Sequence, residues 1–280
     1  MNREQARQSR KCYAYDDAFA RNFGFLSRAD QNELRFAHVA VAGLGGVGGA
    51  QALALARCGI GHFSLADPET FELVNFNRQL GATVDSVGRK KIEVIREMIL
   101  AINPEAGIRT FPEGVTAANM DLFLDGADVA VDGLDFFAIE AKRMLFKKCS
   151  ERGIWALTAA PLGFGSSLLI FKPGAKSFDA YFDLKDDLSL EEKTFRFAYG
   201  LAPNPLCTDR RISAFVLRCR DLGRERSRNF RSPRKYFCRP ACKGLRGPKK
   251  GEPHDLPRGE RKYLSSPGRR RPRLLRHDLL

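Results

Sequence analysis

Six consecutive residues, Gly43-Leu44-Gly45-Gly46-Val47-Gly48, follow a short apolar run and open a segment with helical spacing. That is G-x-G-x-x-G in the context where it cradles a phosphate. Gly43 permits a tight turn, Gly45 lets the backbone approach an anion, and Gly48 lets helix and strand pack closely. The helix start adds unpaired N–H groups and a partial positive charge. Asp67 ends the next apolar run, 19 residues after Gly48, where an acid can accept hydrogen bonds from ribose hydroxyls. Gly46 completes the loop. These features specify a nucleotide and leave NAD, FAD and ATP open.

Cationic residues narrow the choice. Arg78 lies in Asn75-Phe76-Asn77-Arg78-Gln79, and Lys91 follows 13 residues later. Hydride transfer has no use for such a pair. Cleavage of ATP between its α- and β-phosphates does, because the departing pyrophosphate gains negative charge that Arg and Lys stabilise. Asp132 and Asp135, in Val131-Asp132-Gly133-Leu134-Asp135, end a further apolar run. A carboxylate there can hold Mg²⁺, which neutralises phosphates. Taken singly, Arg78 reads as a surface arginine, Lys91 as one face of a helix and Asp132 as a helix cap. Their joint order favours ATP chemistry.

The elements that must position these residues alternate. Strands are predicted at His38–Ala42, His62–Ala66, Gly107–Phe111, Asp128–Val131 and Ile154–Thr158. Between them, Val47–Cys58, Gly88–Ile102, Ala117–Leu124 (capped by Thr116) and Phe137–Arg152 carry helical spacing. This β-α-β-α order predicts an α/β, Rossmann-like, doubly wound and mostly parallel sheet. Ser166–Phe171 is expected to extend it, antiparallel.

The net charge of +14 is unevenly spread. Residues 207–280 hold 23 Lys+Arg against 7 Asp+Glu, whereas residues 1–206 are near neutral. Two regions follow: a nucleotide-binding domain over 1–206 and a basic, disordered tail over 207–280. In the tail Arg outnumbers Lys 18 to 5. That bias resembles translation of a GC-rich gene in a shifted frame, and resequencing around codon 207 distinguishes a frameshift from a natural tail. A frameshifted chain could keep its motifs and be inactive. A natural tail makes salt-sensitive RNA binding the rival function. A polar N-terminus and the absence of a long apolar run lead us to expect a cytoplasmic protein without a membrane span. Cys58 and Cys149 are expected as buried free thiols. Cys238 and Cys242 are spaced Cys-x₃-Cys, and no zinc is predicted.

The ordered set from about Tyr15 to Phe171 resembles the ThiF/MoeB/HesA family, bacterial relatives of ubiquitin-activating E1 enzymes. The resemblance implies ATP bound by Gly43, Gly45, Gly46 and Gly48, with Asp67 on the ribose. It implies Asn75, Arg78, Gln79 and Lys91 around the phosphates and Asp135 on Mg²⁺. Arg21 is similar to the family's N-terminal arginine, which reaches across a homodimer into the partner's site. The implied activity is adenylation of a carboxylate, such as the C-terminus of a ubiquitin-like sulfur carrier. Asn77-Arg78-Gln79 and Ile102-Asn103-Pro104 also resemble the TcdA branch, which acts on threonylcarbamoyladenosine in tRNA, although Pro161–Gly165 departs from it. The paired Cys-x-x-Cys zinc ligands of MoeB and ThiF do not occur, and no cysteine after Thr158 suits thioester transfer. A dinucleotide oxidoreductase remains the second rival.

Overall fold

The computed structural model describes residues 13–162 and 165–201; the expected tail lies outside the described residues. In chain order the elements are α1 (Tyr15–Ala18), α2 (Arg28–Phe36), β1 (His38–Ala42), α3 (Gly48–Cys58), β2 (His62–Ala66) and α4 (Lys91–Ile102). There follow β3 (Gly107–Phe111), α5 (Met120–Phe123), β4 (Val129–Asp132), α6 (Ile139–Glu151), β5 (Trp155–Leu162), β6 (Gly165–Phe171), α7 (Phe178–Phe182) and α8 (Leu190–Leu201).

Strand period dictates the layers. Along β1, Val39 and Val41 point to one face of the sheet, Ala40 and Ala42 to the other. The valines join Phe63 and Leu65 under Leu53 and Ala56 of α3 and Ile92, Ile95 and Ile99 of α4. The alanines join Ala66, Ala130 and Ala156, and the space left by these small side chains is filled by Phe123, Phe146, Phe178 and Phe197. Both faces are thus covered, as a doubly wound sheet requires. The strand order is β3-β2-β1-β4-β5-β6. β1 to β5 pair in parallel, with Val41 opposite Leu65 and Val131. β6 pairs antiparallel with β5, Leu157 opposite Ile170, as the sequence led us to expect.

The chain leaves β1 toward β2 on one side and returns to β4 on the other. The crevice where the connection changes direction, at the strand C-termini, is where ligands bind in open α/β sheets. Here that switch point lies between β1 and β4, at the turns after Ala42 and after Asp132. Among the described residues no helix is long and apolar enough to cross a membrane.

Element bounds differ from the sequence reading in two informative places. α4 starts at Lys91, not Gly88, because Gly88 turns at φ +83° and residues 87–90 are tied to the loop after β2. Gly88 N–H donates to Phe71 O (2.9 Å), Phe71 N–H to Arg89 O (3.0 Å) and Lys91 N–H to Glu69 O (3.0 Å). The helix expected over Ala117–Leu124 shrinks to α5. Thr116 caps a turn instead, its hydroxyl accepting from Asn119 N–H while its own N–H donates to the Asn119 side chain.

Candidate functional site

The glycine turn is built by backbone crowding. Gly43 sits at φ +88°, a region L side chains rarely adopt. Its N–H donates to Ala66 O at 2.7 Å, and Gly133 N–H donates to Ala42 O at 2.7 Å, so the turns after β1 and β4 are tied to neighbouring strands. A Cβ on Gly43 would stand 2.6 Å from the Gly133 carbonyl carbon and 2.8 Å from Leu134 N. One on Gly48 would overlap the Gly43 carbonyl oxygen, and one on Gly133 would stand 2.6 Å from Gly48 Cα. Gly43, Gly48 and Gly133 therefore form a three-way backbone contact that admits no side chain. Gly45 and Gly46 are different: their open sides face Gln79 and Arg78. α3 begins at Gly48 with no side-chain cap, so its first N–H groups carry the helix's positive end into the crevice.

Asp67 fastens this turn to β2. One carboxylate oxygen accepts Leu44 N–H at 2.7 Å and the other accepts Glu69 N–H at 2.8 Å. Burial pushes its carboxyl up, against those two hydrogen bonds and the Lys91 ammonium nearby. The residue expected on a ribose is thus also the latch of the loop, with one backbone donor already on each oxygen.

The segment after β2 closes over the turn. The Arg78 Cγ lies 3.3 Å from where a Gly46 Cβ would be, and the Gln79 Nε2 3.7 Å from that of Gly45. Gln79 is buried, and its carboxamide oxygen has no partner among the described residues. The oxygen calls for a donor such as a ligand hydroxyl or amino group, whereas the nitrogen nearest the turn is the donor an anion would take. Arg78 is exposed and, among the described residues, makes only local bonds, to Val74 O (3.2 Å) and the Asn77 side chain (3.0 Å). Asn75 is buried, its oxygen spent on Glu72 N–H at 2.9 Å, so only its amide donors could face an anion. Lys91 is 2 % exposed and its ammonium donates to Glu69 at 2.7 Å. It is no solvated helix face.

At the end of β4 the two acids part ways. Both oxygens of Asp132 accept from the buried Lys142 ammonium, at 2.8 and 2.9 Å, which removes Asp132 as a metal ligand and as a helix cap. Asp135 is exposed and, among the described residues, accepts only Phe137 N–H, at 2.9 Å. Among the described residues no group of three His, Cys, Asp or Glu could hold a metal by protein ligands alone. One carboxylate suits Mg²⁺, which is commonly held by one or two carboxylates plus substrate phosphates and water. Arg21 is not brought to this site. It is exposed on a short 3-10 turn whose Asn22 side chain donates to Cys58 O, at the far end of the 11-residue α3. That is roughly 16 Å of helix from Gly48.

Comparison with known proteins decides the family. The model of the ThiF family matches residues 19–205. The chain belongs to the ThiF family. It is 33% identical over 152 residues to a Haemophilus influenzae protein named tRNA threonylcarbamoyladenosine dehydratase, covering 52% of this chain and 58% of that one. It is 29% identical over 143 residues to the Escherichia coli sulfur carrier protein ThiS adenylyltransferase, covering 51% and 56%. The chain thus spans little more than half the length of either relative. The E. coli dehydratase TcdA solved in complex with ATP aligns at a TM-score of 0.50 with 22% identity, over 72% of this chain and 96% of that one, a likeness of fold.

Within this ThiF-family chain, sequence reasoning passed over three residues the structure makes prominent. Gly133 was in the quoted motif, and its signal was a glycine directly after a buried strand. Glu69 and Lys142 gave none, because each matters through a partner far along the chain, Lys91 and Asp132. The expectation for Cys149 agrees with the structure: it is buried and its thiol is pushed up to about 12 by burial. Cys58 is exposed, contrary to expectation, because it ends α3 at the surface.

Proposed function

We propose that this domain binds Mg·ATP in the crevice between the β1 and β4 turns and adenylates a carboxylate. The observation that carries the reading is the fold-over of Arg78 and Gln79 onto Gly45 and Gly46, which brings the stem of an exposed arginine and the amide nitrogen of a buried glutamine beside the glycine turn. The acceptor carboxylate oxygen attacks the α-phosphorus, giving an acyl adenylate and pyrophosphate. The turn N–H groups and the α3 N-terminus hold the phosphates, and Asp67 accepts from the ribose with its remaining lone pairs. Arg78, Lys91 and the donors of Asn75 and Gln79 surround the phosphates and stabilise the departing pyrophosphate. Magnesium, held by Asp135, supplies charge neutralisation of the triphosphate when bound. No protein nucleophile is needed, since positioning and charge suffice. A homodimer in the cytoplasm is the working assembly we infer, with Arg21 of each copy serving the other's site.

The acceptor is a carboxylate whose carrier has two readings. One is the C-terminus of a ubiquitin-like sulfur carrier. The other is the carboxyl of a modified tRNA base, which the 33% identity to the H. influenzae dehydratase favours. ATP–pyrophosphate exchange with the full chain, run against a sulfur-carrier protein, the modified tRNA and small carboxylic acids, tests both. Exchange dependent on one acceptor, and reduced about a hundredfold or more in Arg78→Ala, is the expected result. Near-normal exchange in that variant, or tighter binding of NADH than of ATP, would overturn the proposal.

A further inference from the structure

Lys142 occupies an inward position of α6, in line with Ile139, Leu145, Phe146 and Cys149, where an apolar side chain would serve packing. Lysine is almost never fully buried unless paired. A buried ion pair is also a poor stabiliser, because removing two charges from water offsets most of their attraction. Stability alone therefore gives no reason for a lysine here. Its bonds suggest another. The ammonium has three donors, and all three converge on one turn: 2.8 and 2.9 Å to the two oxygens of Asp132 and 3.0 Å to Leu134 O. Asp132 Oδ1 also accepts Leu134 N–H at 3.1 Å. Both polar groups of the Leu134 backbone are thus held by one ion pair, and the Phe197 ring of α8 lies 5.5 Å from the ammonium, shielding it. Leu134 stands between Gly133, wedged against Gly43 and Gly48, and Asp135.

We propose that Lys142 is a positioning residue. With Asp132 it clamps the Leu134 backbone and so fixes where Asp135 stands relative to the glycine turn. What Asp135 is positioned for rests on the adenylation reading; the clamp itself does not.

The test uses the full chain with Asp132→Leu and Lys142→Met combined, which removes the pair and the acceptor of the Leu134 N–H without leaving a buried charge alone. Hydrogen exchange without nucleotide, read on peptides covering residues 130–138, should quicken at least roughly tenfold at Leu134 and Phe137. Unfolding in urea should stay cooperative. In calorimetry the variant should bind Mg·ATP about tenfold or more weakly while AMP affinity changes less than about twofold, since Asp135 would hold the magnesium that accompanies the triphosphate. A merely structural lysine would move both nucleotides together or neither. Should the double variant fail to fold, Lys142→Arg carries the same readouts, because a planar fork keeps the charge without reproducing three convergent bonds. Unchanged exchange at Leu134, or equal loss of AMP and Mg·ATP, overturns the proposal. If the unaltered protein binds neither nucleotide, the adenylation reading falls and the exchange measurement still decides the clamp.

Discussion

Gly43→Ala and Gly46→Ala are expected to differ sharply although they lie in the same loop. At Gly43 the added methyl meets backbone atoms at 2.6 and 2.8 Å, against the roughly 3.5–4.0 Å at which carbon atoms rest. Backbone cannot rotate away, so the β1 and β4 turns must separate by close to an ångström. The residue also sits at φ +88°, which adds about 1–2 kcal/mol for any L side chain. Overpacking adds a further 1–3 kcal/mol or so, giving a loss of roughly 3 kcal/mol. For a domain of this size that lowers Tm by about 6–12 °C. At Gly46 the methyl meets the Arg78 Cγ at 3.3 Å, the stem of a flexible and exposed side chain. Its backbone is not left-handed, so Tm should shift by less than about 2 °C, while displacement of Arg78 weakens ATP binding. Thermal unfolding followed by circular dichroism, paired with nucleotide titration, separates the two effects. Equal melting temperatures for the two variants would refute the three-glycine contact as the reason for Gly43.

The remaining expectations follow from burial and charge. Asp135→Asn should raise the Mg²⁺ needed for half-maximal exchange by roughly tenfold or more with Tm nearly unchanged, since the side chain is exposed; an unaltered Mg²⁺ dependence would remove it as the metal holder. At pH 8 a thiol reagent should modify Cys58 in the folded chain and spare Cys149, only roughly one in ten thousand of whose thiols is ionised with a pKa of about 12. Peptide mapping reads this, and rapid labelling of Cys149 would contradict its packing. His38 is held below its ordinary value of 6.5, first by burial and then by Arg109. The unfolded chain therefore takes up that proton more readily, so the stability linked to His38 is complete above about pH 6.5 and is lost as pH falls through and below it. Urea midpoints at pH 7.5 and 5.5 should diverge less in His38→Gln than in the unaltered chain, and an identical slope would show that His38 does not contribute.

The parallel strands were legible because strands buried on both faces read as apolar runs bounded by glycine and polar residues, as at His38–Ala42 and His62–Ala66. The glycine turn was legible because at Gly43 and Gly48 the backbone contact forbids any side chain. α8 was not read, although Lys193, Thr194, Phe197, Ala198 and Leu201 fall on its buried side. Its lysine and threonine interrupt the apolar stripe, and Lys193 is buried only because it reaches Glu140 at 2.8 Å. The same limit hid Lys142. A lysine on an inward helical position looks like an error of pattern until its partner is known, and Asp132 is ten residues away on another element. Sequence spacing thus named charged residues on the segments around the glycine turn. It did not say which charges were already spoken for.

That distinction separates the two cations of the proposed site. Lys91 is buried and paired at 2.7 Å with Glu69, a half-exposed carboxylate that also sits beside Asp67. Arg78 is exposed and, among the described residues, bonded only within its own turn. An arriving triphosphate can recruit Arg78 at the loss of two weak local bonds, whereas Lys91 comes with a counter-ion that must share it or yield. The fixed lysine is therefore suited to setting the potential in which the turn and Asp67 are held before any ligand arrives. The exposed arginine is suited to following charge as it moves from the α-phosphate to the leaving group, where a stabilising donor matters most.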